Sequence, residues 1–468
     1  MMAWLALCWK ILGQSPLVTR CAMLLLAAFC LLGFLRLGRT VANSTVAACS
    51  TFLVAIYPVF FAQSSLAQVD LPSAGFIFWG LESYFRRRKI EMRSRAASRV
   101  PWSAVAWFSL AALAKETAIF VPIALVLHGL TCRGRAALQG RESGAQRTKP
   151  ALGAEPSLAL SLSIISVALW YAYHYSRTGH VFGNPEFFRY NVQTTLHPLR
   201  IVLALGLRIW QTLVYLNLYV LTIVCLIAMK FPPIRDQNGE RPRIDLSVQY
   251  SFLAIIIVYV VVLSIIGGAV LARYMLPVVP LVILICVSTI WRRLRAWKIV
   301  IAVMAIAFVS ALFINPPYGF APEDNLAYRD YIRLHQRAEA FLQQHYPNAR
   351  VLTAWPASDE LARPYLGYIH EPMQVVRIED FSVEQMQSAA AARSRFDVAL
   401  VFSTKYQQRV HRWRLWQEWD SRYFGFHVDL TPEAAASVLR GNLVYVERKR
   451  GQWVGVIDIR NIQGAQAR

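Results

Sequence analysis

Residues 57–89 read YPVFFAQSSLAQVDLPSAGFIFWGLESYFRRRK, and residues 107–120 read WFSLAALAKETAIF. An acidic residue, Asp70, sits between two apolar segments of the first stretch, and the pair Lys115–Glu116 interrupts the second. Ionisable side chains placed among membrane-length apolar runs are costly, which makes them functional candidates by default. The surrounding sequence has the composition of a membrane protein. The 468 residues are 56% hydrophobic and 16% charged, with a mean hydropathy of +0.38, where a soluble domain carries about 25% charged residues. Several apolar runs reach or approach the roughly 20 residues that cross a bilayer. These features predict a polytopic α-helical membrane protein with ten spans, at 21–38, 42–62, 72–85, 100–115, 117–131, 157–176, 200–229, 250–270, 274–291 and 298–314.

Lys and Arg number 49 against 27 Asp and Glu, a net charge of +22. That balance does not call for a nucleic-acid partner, because basic loops on the inner side of a membrane protein produce it equally well. One set of loops holds Arg36 and Arg39, the run Arg86–Lys89, the group Arg133 to Lys149, then Lys230 to Arg243, and finally Arg292 to Lys298. The alternating loops hold Arg20, Lys115, Arg177, Arg189, Arg200 and Arg273. By the positive-inside rule the first set is cytoplasmic, so Asp70, Lys115, Glu116, the 177–198 loop, Arg273 and everything after Pro316 are expected at the outer face of the cytoplasmic membrane. The first clear span then runs from outside to inside. Residues 2–14 are apolar but short and suit an interfacial helix, and an upstream span with its loop is expected to be missing.

Beyond Asn315-Pro316-Pro317 the composition becomes mixed and charged, which divides the chain into a membrane domain, 1–316, and an extracytoplasmic domain, 317–468. Residues 325–346 have helical spacing, 350–355 and 396–402 are short β-rich runs, and 442–447 with 453–459 resemble a closing strand pair. Strands alternating with helical stretches predict a small soluble α/β domain. None of the seven cysteines lies beyond Cys286, and no Cys or Cys/His spacing suggests zinc.

Each candidate site residue has a chemical reading and a plainer one. Asp70 stands two residues before Pro72, close to a helix start, where a carboxylate is favoured by the helix dipole. It could be no more than a cap, but Gln63, Ser64, Ser65 and Gln68 beside it suit a polar cavity that binds a metal ion or an acceptor hydroxyl. Lys115 and Glu116 point about 100° apart if helical. They are either a solvated turn between two short spans or a turn tucked into protein, where the ammonium needs an anion such as Asp70, Glu116 or a ligand phosphate. The 177–198 loop mixes Glu186, Tyr190 and Asn191 with His180, Arg189 and aromatic rings, a combination that suits sugar binding and also an ordinary interfacial belt. Arg273, beside Tyr274 at the outer end of a span, could offer a guanidinium fork to phosphate or snorkel to the headgroups.

Five stretches together resemble the GT-C glycosyltransferases: ILGQSPLVTR (11–20), YPVFFAQSSLAQVD (57–70), LAKETAIF (113–120), TGHVFGNPEFFRYN (178–191) and ARYMLPVVP (272–280). The resemblance is to the bacterial branch that holds the aminoarabinose and protein O-mannosyl transferases and the RgtA/B/C/D-like enzymes. It implies a membrane enzyme that moves a sugar from a polyprenyl-phosphate donor to a lipid, polysaccharide or protein acceptor at the outer face. It also implies a carboxylate as general base and cations on the departing phosphate. On that likeness Asp70 and Glu116 are the candidate catalytic carboxylates, and Lys115, Arg273, Tyr274, Glu186, Tyr190 and Asn191 are candidate substrate-binding residues. A divalent metal ion is the one cofactor it admits. The principal acidic motif of such enzymes lies in the first outer loop, and this chain begins beyond that point. Two other classes compete: a secondary transporter, disfavoured by the absence of an internal repeat and by charges gathered at one face, and a non-catalytic membrane-anchored binding protein.

Overall fold

The computed structural model describes residues 1–94, 100–142, 158–181, 195–237, 239–406 and 414–460. The chain divides into two compact units, one made of Ala22–Ala311 with Met1, the other of Leu312–Arg468 with Met2–Cys21.

The first unit is helical. Helices or helical turns occupy each of the ten stretches predicted to span: Pro16–Val41, Ser44–Ile56 with Pro58–Gln63, Asp70–Ser94, Trp102–Ala114, Phe120–Glu142, Ser163–Thr178, Pro198–Leu213 with Leu218–Ala228, Leu246–Ile266, Val279–Arg293 and Trp297–Phe313. Among the described residues, Pro16–Val41 and Leu246–Ile266 are long and apolar enough to cross a membrane unaided, and the pair Pro198–Leu213 and Leu218–Ala228 qualifies as one bent span. The others are shorter or more charged. Two predicted spans are broken for visible reasons. Pro58 opens a new helix after Tyr57, since proline has no N–H to continue the preceding ladder. At Leu216 and Asn217 the backbone turns to positive φ, and the two flanking helices diverge by 76°. The Asn217 amide there donates to the Ala307 carbonyl at 2.8 Å.

Small residues let these helices approach closely, as is usual where no hydrophobic driving force separates helix from lipid. A methyl group on Gly75 would stand 3.2 Å from the Cys30 side chain, which fixes the crossing of Asp70–Ser94 with Pro16–Val41. Around that crossing Phe29 stacks on Trp79 and Trp79 on Trp107.

The second unit has its own sheet and core. Its strands are β1 (Arg350–Thr353), β2 (Gln374–Arg377), β3 (Val398–Phe402), β4 (Asn442–Lys449) and β5 (Gln452–Asp458), in the order β2-β1-β3-β5-β4. β1 pairs in parallel with β2 and β3, while β5 is antiparallel to both β3 and β4. The β-rich runs predicted from sequence are four of these strands. β2 is the addition: a four-residue edge strand, only half-buried, without the alternation that marks a strand in sequence. The β4–β5 hairpin closes through Arg450 and Gly451, both at positive φ, the backbone of a two-residue turn that follows strand twist. β3 and β5 are wholly buried, as central strands covered on both faces must be. The helix Ala327–His345 packs its apolar face (Leu334, Ala338, Leu342) into the same core. Its buried Asp330 takes Lys449 at 3.0 Å and Arg450 at 3.8 Å, so the hairpin turn is tied to the helix through charge as well as packing.

Candidate functional site

Asp70 is the first residue of its helix, as Pro72 two positions on led one to expect, and its side chain is buried. Lys115 lies where the helix Trp102–Ala114 stops. Its backbone is extended, at φ −154° and ψ 123°, before a short 3-10 turn, Glu116–Ile119. The break swings the Lys115 ammonium inward onto the Asp70 carboxylate, while Glu116 is exposed. The turn is thus tucked into protein on one side and open on the other, and the two neighbouring charges part because Lys115 is extended, not helical.

Arg273 comes to the same carboxylate from a third segment. It sits in the short turn Ala272–Met275, and its Nε lies 3.3 Å from Asp70 Oδ2. The Tyr274 ring lies between the cations, with the Lys115 ammonium 3.6 Å from its centroid and the Arg273 guanidinium carbon 5.6 Å away. A negatively polarised ring face is a favourable neighbour for each. Asp70, Lys115, Arg273 and Tyr274, spread over two hundred residues of sequence, therefore meet in one cluster. Glu186, Tyr190 and Asn191 lie outside the described residues.

The cluster has a support that sequence reasoning missed. The helix Pro198–Leu213 buries Arg200, Ala204, Arg208 and Gln211 along one face. Their spacing of four, four and three is the signal that could have shown it. Arg200 donates to the Gly267 and Gly268 carbonyls at 2.8 and 2.6 Å, and Arg208 to those of Ala269 and Leu271 at 3.0 and 2.9 Å. Gln211 donates to Val270 at 2.9 Å. These three side chains take up five consecutive carbonyls, Gly267 to Leu271, the last of which also accepts the Tyr274 N–H at 3.2 Å. The clamp holds the 267–271 segment rigid just before Arg273, and Arg208 itself reaches within 5.5 Å of the Tyr274 ring centre.

Two cations, Lys115 and Arg273, on one buried carboxylate leave an excess of positive charge with little exposure to water. Both Asp70 oxygens face cations, and the surplus positive charge suits an anion. A phosphate entering here would meet donors whose counter-charge is in place before it arrives.

A helical unit followed by an α/β unit of this kind has counterparts among solved structures. The particular structures it is similar to are those of ArnT from Cupriavidus metallidurans: in the apo state, with a TM-score of 0.52 and 13% identity, and bound to undecaprenyl phosphate, with a TM-score of 0.51 and 12% identity. Each likeness covers 97% of this chain and 86% of the other. At that identity it is the fold that is shared. No protein-family model matches the sequence, and no curated protein matches it.

Proposed function

We propose that this chain is an integral-membrane glycosyltransferase that moves a sugar from a polyprenyl-phosphate donor to an acceptor at the outer face of the cytoplasmic membrane. In this assignment the ten helical stretches are its spans and the α/β unit is extracytoplasmic. The observation that carries it is the cluster of Lys115, Arg273 and Tyr274 around Asp70, set in a fold shared with a protein crystallised with undecaprenyl phosphate.

The donor phosphate takes the place of Asp70 against Lys115 and Arg273. Those cations then hold the negative charge that grows on the phosphate as its bond to the anomeric carbon breaks. Displaced from its cations, Asp70 has free oxygens to accept the proton of the acceptor hydroxyl as that oxygen attacks the same carbon. Glu116, exposed beside Lys115, is the second candidate carboxylate. The products are the glycosylated acceptor and the polyprenyl phosphate.

Purified protein in nanodiscs, given radiolabelled undecaprenyl-phosphate sugars and a cell-envelope extract, should transfer label to an extract component. Failure to transfer any of several sugars, together with failure to bind undecaprenyl phosphate, would overturn the proposal.

A further inference from the structure

We propose that His335, Glu339 and Glu360 form a divalent-cation site in the α/β unit, of a kind suited to Zn²⁺, that ties the helix Ala327–His345 to the short helix Ala357–Glu360. His335 and Glu339 are four residues apart, so they share one face of their helix, and Glu360 reaches them from the other segment. One ligand atom from each of the three lies within 4.8 Å of the others. His335 Nδ1 stands 2.6 Å from Glu360 Oε2 and 3.9 Å from Glu339 Oε1. All three side chains are buried.

Hydrogen bonding does not account for this group. A neutral imidazole has a single N–H, and it cannot serve two carboxylates. Among the described residues, the ion pairs of Glu339 and Glu360 are with His335 alone. Neither oxygen of Glu339 has a hydrogen-bond partner although the residue is fully buried. A buried carboxylate left in that condition is strongly disfavoured. One divalent ion between an imidazole and two carboxylates gives a neutral site and occupies the orphaned oxygens. Nitrogen and oxygen ligands in this mixture are those of zinc and its neighbours in the first transition row. The ligands are also held from behind. The Tyr331 ring lies 4.1 Å from that of His335, with the Phe402 ring 4.5 Å away. Such outer partners fix ligand orientation in metal sites.

The test uses tag-free full-length protein in detergent, stripped with a chelator and reloaded by dialysis against micromolar Zn²⁺. Elemental analysis should find about one zinc per chain, and the thermal midpoint should rise by several degrees. Reloading with Co²⁺ should give visible absorption bands. Glu339→Gln should weaken zinc affinity at least about 100-fold, more than the loss of an outer partner alone, and abolish the cobalt bands. Zinc retained equally by E339Q, or a wild-type protein with neither stoichiometric zinc nor cobalt bands, would overturn the proposal. The wild-type cobalt spectrum decides the matter even if E339Q does not fold, and Glu360→Gln supplies a second variant. Sugar transfer is not among these readouts, so the site stands or falls apart from the proposed activity.

Discussion

Asp70 was conspicuous because a lone carboxylate in an apolar run has to be matched by something, and the structure supplies Lys115 and Arg273. Its removal therefore has two opposite effects. Asp70→Asn should abolish transfer, because the proton acceptor is gone, yet bind undecaprenyl phosphate at least as tightly as wild type, because the internal competitor for the cations is gone too. The same variant should be stabilised by the lipid phosphate more than wild type is, which a thermal-shift titration would show. Equal loss of binding and transfer would return Asp70 to a purely structural role. Lys115→Ala and Arg273→Ala should each weaken lipid-phosphate binding about 10- to 100-fold, the range for a charge-assisted hydrogen bond worth about 1.5–3 kcal/mol. Arg273→Lys should recover little, since a point charge does not reproduce a planar fork. What the sequence did not disclose at this scale was the histidine–glutamate cluster. His335 and Glu339 look like polar positions on an amphipathic helix until Glu360 is brought against them from another segment.

Among the elements, the helix Pro198–Leu213 shows where sequence reading stopped. An apolar run with Arg200 near its start looks like a span with a basic end, and Arg208 has no obvious partner because its partners are backbone carbonyls sixty residues away. Gly267 has a physical reason to be glycine. A methyl group on Gly267 would strike the Leu263 carbonyl and come within 3.3 Å of the Arg208 guanidinium. Gly267→Ala and Arg208→Met should thus converge on one phenotype: the 267–271 segment shifts, and the affinity for lipid phosphate falls through Arg273 while neither residue touches the ligand. Arg208→Met also removes the guanidinium's two hydrogen bonds to the Ala269 and Leu271 carbonyls, each worth about 1.5–3 kcal/mol for a charged donor, so its thermal midpoint should drop further than that of Gly267→Ala. A double variant with Arg273→Ala should show little additional loss of binding, which a binding isotherm on the three proteins would check.

For the molecule as a whole, the helical class and the α/β unit were legible because hydropathy and strand patterning are local. The break at Leu216–Asn217 and the edge strand β2 were not, because turn geometry and edge position are set by neighbours distant in sequence, whereas the break at Tyr57–Pro58 is marked by the proline itself. The α/β unit should also carry a signature of its own in solution. His427 has Asp429 3.5 Å and Asp380 3.6 Å from Nε2, with Lys405 3.3 Å from Nδ1 opposing them; the bond to Asp429 dominates and raises the imidazole above its ordinary 6.5. A histidine raised in the folded state adds stability that is full below its unfolded value and is lost as pH climbs through the folded one. The unit's thermal midpoint should therefore decline as pH rises from about 6, and His427→Gln should flatten that decline.

The sidedness of the two units is the remaining step, and single cysteines can measure it. Cys132 is exposed at the end of an apolar helix and leads into the basic stretch Arg133 to Lys149, which the positive-inside rule assigns to the cytoplasm. Gln344 is exposed on the helix Ala327–His345. In a background stripped of the other cysteines, a membrane-impermeant maleimide added to intact spheroplasts should label Gln344→Cys and leave Cys132 untouched until the membrane is opened. The same labelling pattern is required if Lys115 and Arg273, four and eight spans into the expected order, are to face the side on which the α/β unit lies. The opposite pattern would place the candidate donor site on the cytoplasmic side and remove the basis for transfer at the outer face.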